Sequence, residues 1–130
     1  MNLHHVGLIV ADIDYVANVI PRGELLNDVV DPIQGARLCL YENYGSSYLE
    51  LIQPLNESSP TWNQLNKYSN HINHFCYKIS NRNDLDWHIE KLNLIKLSDW
   101  LTAALFPNHE VLFCYSRSKL VVEFLTEIDN

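Results

Sequence analysis

Four short runs of this chain follow the two-residue rhythm of a strand, and each carries a histidine or glutamate among apolar neighbours. They are His5-Val6-Gly7-Leu8-Ile9-Val10, Tyr48-Leu49-Glu50-Leu51-Ile52, His74-Phe75-Cys76-Tyr77-Lys78-Ile79 and Val121-Val122-Glu123-Phe124-Leu125. Successive side chains of a strand point to opposite faces. The rhythm therefore puts Val6, Leu8 and Val10 on one face of the first run and His5, Gly7 and Ile9 on the other. In the same way Leu49 and Leu51 oppose Glu50, Phe75 and Tyr77 oppose His74, and Val122 and Phe124 oppose Glu123.

The rest of the pattern predicts two units of strand, helix and three strands. Asp12 is a helix start signal, and a short helix is expected to Ile20, stopped by Pro21. Strands are expected over 25–31 and 35–42, with a turn at Asn43-Tyr44-Gly45-Ser46 leading into the Glu50 strand. The polar and proline-containing stretch from about 54 to 70 reads as a linker between a first module (about 1–55) and a second (about 71–130) of one domain, with a helical stretch at 62–68. In the second module Asn83-Asp84 is expected to cap a helix to about Asn93, with Leu85, Ile89 and Leu92 as its apolar stripe. A strand at 94–97 and a hairpin of 110–115 and 119–125 around Ser116-Arg117-Ser118 complete the unit. The stretch from Trp100 to Pro107 is the least regular and reads as a loop.

The two units repeat one another. The histidine strands are displaced by 69 positions (74 − 5) and the glutamate strands by 73 (123 − 50), and each unit carries one of each residue. Taken singly, a glutamate in an apolar strand is commonly an edge charge that discourages aggregation, and a lone histidine is commonly packed. Recurrence in the same order in both halves points instead to a set of ligands. Two imidazoles and two carboxylates on one face suit a divalent transition metal such as zinc, nickel, cobalt, manganese or iron better than calcium.

Composition narrows the classes. A chain of 130 residues with 47% apolar content is long enough for one cored domain. Its formal charge of −7 argues against a nucleic-acid backbone or anionic membrane as the main partner. Lys67, Arg82, Lys91, Lys96, Arg117 and Lys119 remain available for an anionic substrate or, more simply, as a solvated surface. No signal-peptide pattern opens the chain and no apolar stretch approaches a membrane span, so a soluble cytoplasmic protein is expected. Cys39, Cys76 and Cys114 lie apart in apolar runs, with no paired spacing, and read as reduced core residues.

These residues resemble the vicinal oxygen chelate superfamily, which includes glyoxalase I, methylmalonyl-CoA epimerase, ring-cleaving dioxygenases and bleomycin-resistance-type binding proteins. The run His4-His5-Val6-Gly7-Leu8-Ile9-Val10-Ala11-Asp12 resembles the family's opening strand and helix start. Glu50-Leu51-Ile52-Gln53-Pro54-Leu55, followed by Glu57-Ser58-Ser59-Pro60, is similar to the epimerase branch. Asn73-His74-Phe75-Cys76 resembles the third ligand strand, with Asn73 where that branch often has a second histidine, and Val121-Val122-Glu123-Phe124-Leu125 the last.

The resemblance implies an α+β fold of two βαβββ modules forming a cup-shaped mixed sheet around one octahedral metal ion held by His5, Glu50, His74 and Glu123. It implies a metal-dependent lyase or isomerase of the methylmalonyl-CoA epimerase or glyoxalase type. Such an enzyme moves a proton next to a carbonyl, with Glu123 or Glu50 as ligand and base. The expected metal is nickel, cobalt, zinc or manganese, the expected substrate an acyl-CoA thioester or a 2-oxo or hemithioacetal compound, and the expected assembly a homodimer. Lactoylglutathione lyase proper, a non-catalytic binding or resistance protein, and an extradiol-type dioxygenase are the other readings. Four retained ligands count against the last two.

Two departures bear on the base. Epimerases place a carboxylate close before a Gln-Gly pair, whereas Gln34-Gly35 here follows Asp31-Pro32-Ile33, so that Asp31 is the nearest acid but out of register. The stretch Ser116-Arg117-Ser118-Lys119 lacks the glycine that glyoxalase I usually has before its final glutamate. Asn108 and His109 are further candidates for substrate contact.

Overall fold

The protein is described by a computed structural model covering residues 1–43 and 45–128. The turn expected at 43–46 includes Tyr44, which lies outside the described residues. The chain divides into two compact units, one from His5–Asn73 and the other from Met1–His4 together with His74 onward.

In the first unit the elements are β1 (Asn2–Ile9, from His5 on), α1 (Ile13–Ala17), β2 (Leu25–Asp31), β3 (Ala36–Glu42), β4 (Tyr48–Pro54) and α2 (Trp62–Tyr68). The strands lie in the order β2-β3-β4-β1. β1 runs parallel to β4, while β2, β3 and β4 are antiparallel neighbours. α1 starts where expected because Asp12 is extended and its carboxylate accepts from the Asp14 and Tyr15 amides. It stops at Ala17, earlier than Ile20. Arg22 Nε donates to the Ala17 carbonyl, which satisfies a helix-end acceptor there. Ile13, Val16 and Ala17 pack on Val10, Cys39, Tyr41 and Leu51, with Leu8 and Leu49 at the margin. Those strand positions alternate with the face bearing His5 and Glu50, so α1 covers the face away from the polar pair.

The second unit repeats this plan with β5 (His71–Lys78), α3 (Arg82–Leu92), β6 (Ile95–Lys96), β7 (Leu101–Thr102), β8 (His109–Tyr115) and β9 (Val121–Glu127). Its strand order is β5-β9-β8-β6, with the two-residue β7 also on β8. The residue that caps α3 is Asn81, not the expected Asn83-Asp84: Asn81 is extended and its side chain accepts from the Asp84 amide at 3.0 Å. Asp84 thus falls in the first turn, where a negative charge meets the positive end of the helix dipole. Asn93 closes the helix in the left-handed conformation, as asparagine tolerates. Leu85 and Ile89 pack with Ile79, Leu94, Leu112, Cys114 and Phe124, but Leu92, expected in the same stripe, is 55% exposed. The stretch read as a loop at 100–107 contains β7, which its pairing with β8 creates.

None of the three cysteines is in a disulfide and all are buried, as their apolar runs suggested. Burial raises the Cys39 thiol to about 11 and also raises Cys114. Among the described residues no helix is long and apolar enough to cross a membrane.

Candidate metal centre

Each unit builds one buried polar pair from the alternation of two of its strands. In the first unit β1 and β4 are in parallel register with His5 opposite Tyr48 and Gly7 opposite Glu50. The histidine therefore stands two residues, one same-face step, before the glutamate's partner. His5 is fully buried, Glu50 is 7% exposed, and His5 Nε2 lies 3.8 Å from Glu50 Oε1. Gly7 sets no side chain between them, and on the other side Glu50 is flanked by Leu40 of β3.

In the second unit the same construction recurs. His74 is opposite Val121 and Cys76 opposite Glu123 on the parallel pair β5 and β9. Phe113 of β8 flanks Glu123 as Leu40 flanks Glu50. His74 and Glu123 are 3% and 6% exposed, and His74 Nε2 lies 3.9 Å from Glu123 Oε1. The face away from α3 continues with Leu125, Val111, Phe113 and Phe106 around Cys76. The structure thus brings His5 to Glu50 and His74 to Glu123, each pair buried.

Chemically, each pair fits a divalent ion. Donor atoms about 2.1 Å from a common ion stand about 3 Å apart when adjacent and about 4.2 Å apart when opposite in an octahedral shell. Separations of 3.8 and 3.9 Å fall between the two, so each pair would close by somewhat under about 1 Å to become adjacent ligands. They exceed ordinary hydrogen-bond length, so neither pair is a direct imidazole–carboxylate hydrogen bond.

The other residues singled out in the sequence have different occupations. Asp31 is buried, and its Oδ1 accepts from the Ile33 amide at 2.9 Å, closing the β2–β3 turn in which Gly35 has a φ of 60°. Within Glu57-Ser58-Ser59-Pro60, the buried Ser59 donates to the Gln34 carbonyl at 2.7 Å and sits 3.0 Å from the Thr61 hydroxyl. That epimerase-like motif pins its loop to the β2–β3 turn. Asn73 donates to Gln64 on α2 at 3.0 Å. His109 opens β8, with Nδ1 2.8 Å from the Pro107 carbonyl and its ring against Phe106. Asn108 adopts a φ of 62° in the turn before it.

The basic candidates are scattered. Arg82 pairs with Glu110 and stacks over Trp100, while Lys67 and Lys91 lie over Tyr68 and Trp87. Cys76, the register partner of Glu123, is the neighbour of the centre that sequence reasoning passed over. Its signal was available in the repeat, which aligns it with Gly7.

Comparison with known proteins places the chain in a family. A family model described as the glyoxalase/bleomycin resistance protein/dioxygenase superfamily matches residues 4–98. The chain belongs to that superfamily. Its two βαβββ modules are the vicinal oxygen chelate fold. Among solved structures, methylmalonyl-CoA epimerase from Mycobacterium tuberculosis aligns with a TM-score of 0.82 at 20% identity, covering 98% of this chain and 89% of that one. A hypothetical protein from Bacillus halodurans C-125 gives 0.81 at 23% identity, covering 99% and 96%. A variant of Streptomyces coelicolor methylmalonyl-CoA epimerase in complex with 2-nitronate-propionyl-CoA gives 0.80 at 18% identity, covering 99% of both chains. No curated protein matches the sequence.

Proposed function

We propose that this superfamily member is a metal-dependent lyase or isomerase of the methylmalonyl-CoA epimerase or glyoxalase type. On this reading it transfers a proton on the carbon next to a carbonyl. The observation that carries the reading is the duplicated register: in both modules a buried histidine stands one same-face step before the partner of a buried glutamate. Packing alone has no reason to repeat that polar construction twice.

On this reading His5, Glu50, His74 and Glu123 hold one ion of nickel, cobalt, zinc or manganese. Two carboxylates and two neutral imidazoles carry a charge of −2, which a divalent cation cancels. When bound, the ion supplies the Lewis acidity that polarises the substrate carbonyl and eases loss of the neighbouring proton. The histidines hold position through Nε2. Glu123 or Glu50 takes the proton, and a carboxylate oxygen must come within about 2.6–3.2 Å of the substrate carbon that gives it up or act through one water. Asp31 is committed to the β2–β3 turn, which supports a glutamate as the base.

The substrate class is an acyl-CoA thioester or a 2-oxo or hemithioacetal compound, consistent with the likeness to epimerase structures. A homodimer follows from the prevalence of two-fold assemblies, and the four ligands can come from one chain or from two. Three buried thiols outside any disulfide suit a reducing cytoplasm.

The test is metal content per chain after chelator-free purification and reconstitution, in wild type and His74→Ala, followed by deuterium exchange into the two substrate classes. Near one equivalent in wild type, its loss in the variant and solvent-derived deuterium next to the carbonyl are expected. No metal above background in either protein refutes the reading and leaves a binding module on the same fold.

A further inference from the structure

The second unit has a cavity of about 560 Å³ on the α3 face of its sheet, within the size range of small-molecule sites. Its floor is Phe75, Tyr77, Val122 and Phe124. These alternate along β5 and β9 with His74, Cys76 and Glu123, so the cavity opens on the face opposite the His74–Glu123 pair. It is a different site from the metal centre.

Two features give the cavity a ligand chemistry. Its walls and rim are apolar: Leu92 of α3 and Leu120 of the β8–β9 turn line it while remaining 55% and 51% exposed, an arrangement that leaves apolar surface in water around an open mouth. Its charge is of one sign. Arg117 lines it, no aspartate or glutamate does, and among the described residues no ion pair or hydrogen bond engages Arg117. The turn that carries Arg117 is held in shape by Ser116, whose hydroxyl lies 2.6 Å from that of Ser118 and accepts from the Leu120 amide at 3.2 Å.

We propose that this cavity binds a small carboxylate with an apolar body, of the medium-chain fatty acid class, its tail on Phe75, Tyr77, Val122 and Phe124 and its carboxylate at Arg117. An apolar pocket beside a cation without a counter-ion selects this chemistry over a neutral or cationic amphiphile of the same length. A fork of guanidinium donors matches a carboxylate's two oxygens.

The test is calorimetric titration of the full chain with decanoate, octanoate, decanol and decyltrimethylammonium below their aggregation concentrations. Decanoate is expected to bind saturably at one site, with octanoate about fifteenfold weaker, since each methylene contributes about a fourfold factor. Decanol should be about tenfold weaker, and the cation should not bind. Arg117→Ala should bring decanoate down to the level of decanol and leave decanol unchanged. Arg117 is exposed, so this variant folds. Leu92→Glu, which sets a like charge at the mouth, should remove decanoate binding. His74→Ala should leave it intact and so separates this site from the metal centre.

Equal binding of decanoate and decanol, insensitivity to Arg117→Ala, or loss of decanoate with His74→Ala overturns the assignment. So does a chain that binds no decanoate but forms a dimer which Leu120→Glu dissociates, because the face then belongs to a second copy.

Discussion

Asp31 and Glu50 are both buried acids in the first unit, yet their surroundings assign them opposite work. Asp31 has a backbone amide for a partner and a turn to close, whereas Glu50 faces an imidazole at a separation suited to a shared ion. Asp31→Ala is therefore expected to cost about 1 kcal/mol in urea unfolding with metal content unchanged, and Asp31→Asn, which keeps the acceptor, should cost less. Glu50→Gln should do the reverse, with metal lost and the fold retained. Cys39 gives a pH signature at the same scale. Burial holds its thiol pKa at about 11, above the unfolded value of about 8.5, so the unfolded chain ionises first. Stability from this group is complete below the unfolded value and declines as pH rises towards 11, which unfolding midpoints of wild type and Cys39→Ala between pH 8 and 11 will compare. The four ligand candidates were legible because a histidine or glutamate inside an apolar alternation stands out. Cys76 was legible only through its alignment with Gly7 in the repeat, since by itself a cysteine in such a run looks like any small core residue.

Elements whose ends are set by their own residues were readable, and those set by a neighbour were not. Strand β2 and helix α2 occupy the expected 25–31 and 62–68, where local punctuation marks both ends. The two-residue strands β6 and β7 are set by pairing with β8; the apolar run at 94–97 announced β6 without its ends, and no periodicity of its own announced β7. Helix ends fall between these cases. Asp12 was recognisable as a cap, but at α3 three polar residues with capping ability lie within four positions, and only backbone geometry selects Asn81. Asn81→Ala should thus destabilise the protein by about 1 kcal/mol, and Asn83→Ala by far less, when both are measured by urea denaturation. Asn81→Asp should also destabilise at neutral pH, because it keeps the acceptor but replaces the Nδ2 that donates to Asp84 Oδ2 with a second carboxylate.

At the scale of the whole chain, the repeat is more regular in structure than in sequence. The second module has four more residues between its histidine and glutamate than the first (73 − 69), yet the strand register is the same in both. Extra length was absorbed in connections, which vary freely, and the positions that place the polar pair were kept. This is why spacing alone understated the symmetry while motif order conveyed it. One consequence separates a shared ion from two independent half-sites. If one ion takes ligands from both pairs, wild type should bind about one equivalent. A metal at about 100 times its Kd should then add about 2.7 kcal/mol, or roughly 10 °C in Tm. Removing either histidine should abolish the whole shift, so His5→Ala and His74→Ala should be indistinguishable in metal content and in metal-dependent Tm. If each pair instead held its own ion, wild type would take two equivalents and each variant would keep one, with about half the shift. Metal analysis and thermal melts of the three proteins therefore decide whether the two modules work as one centre.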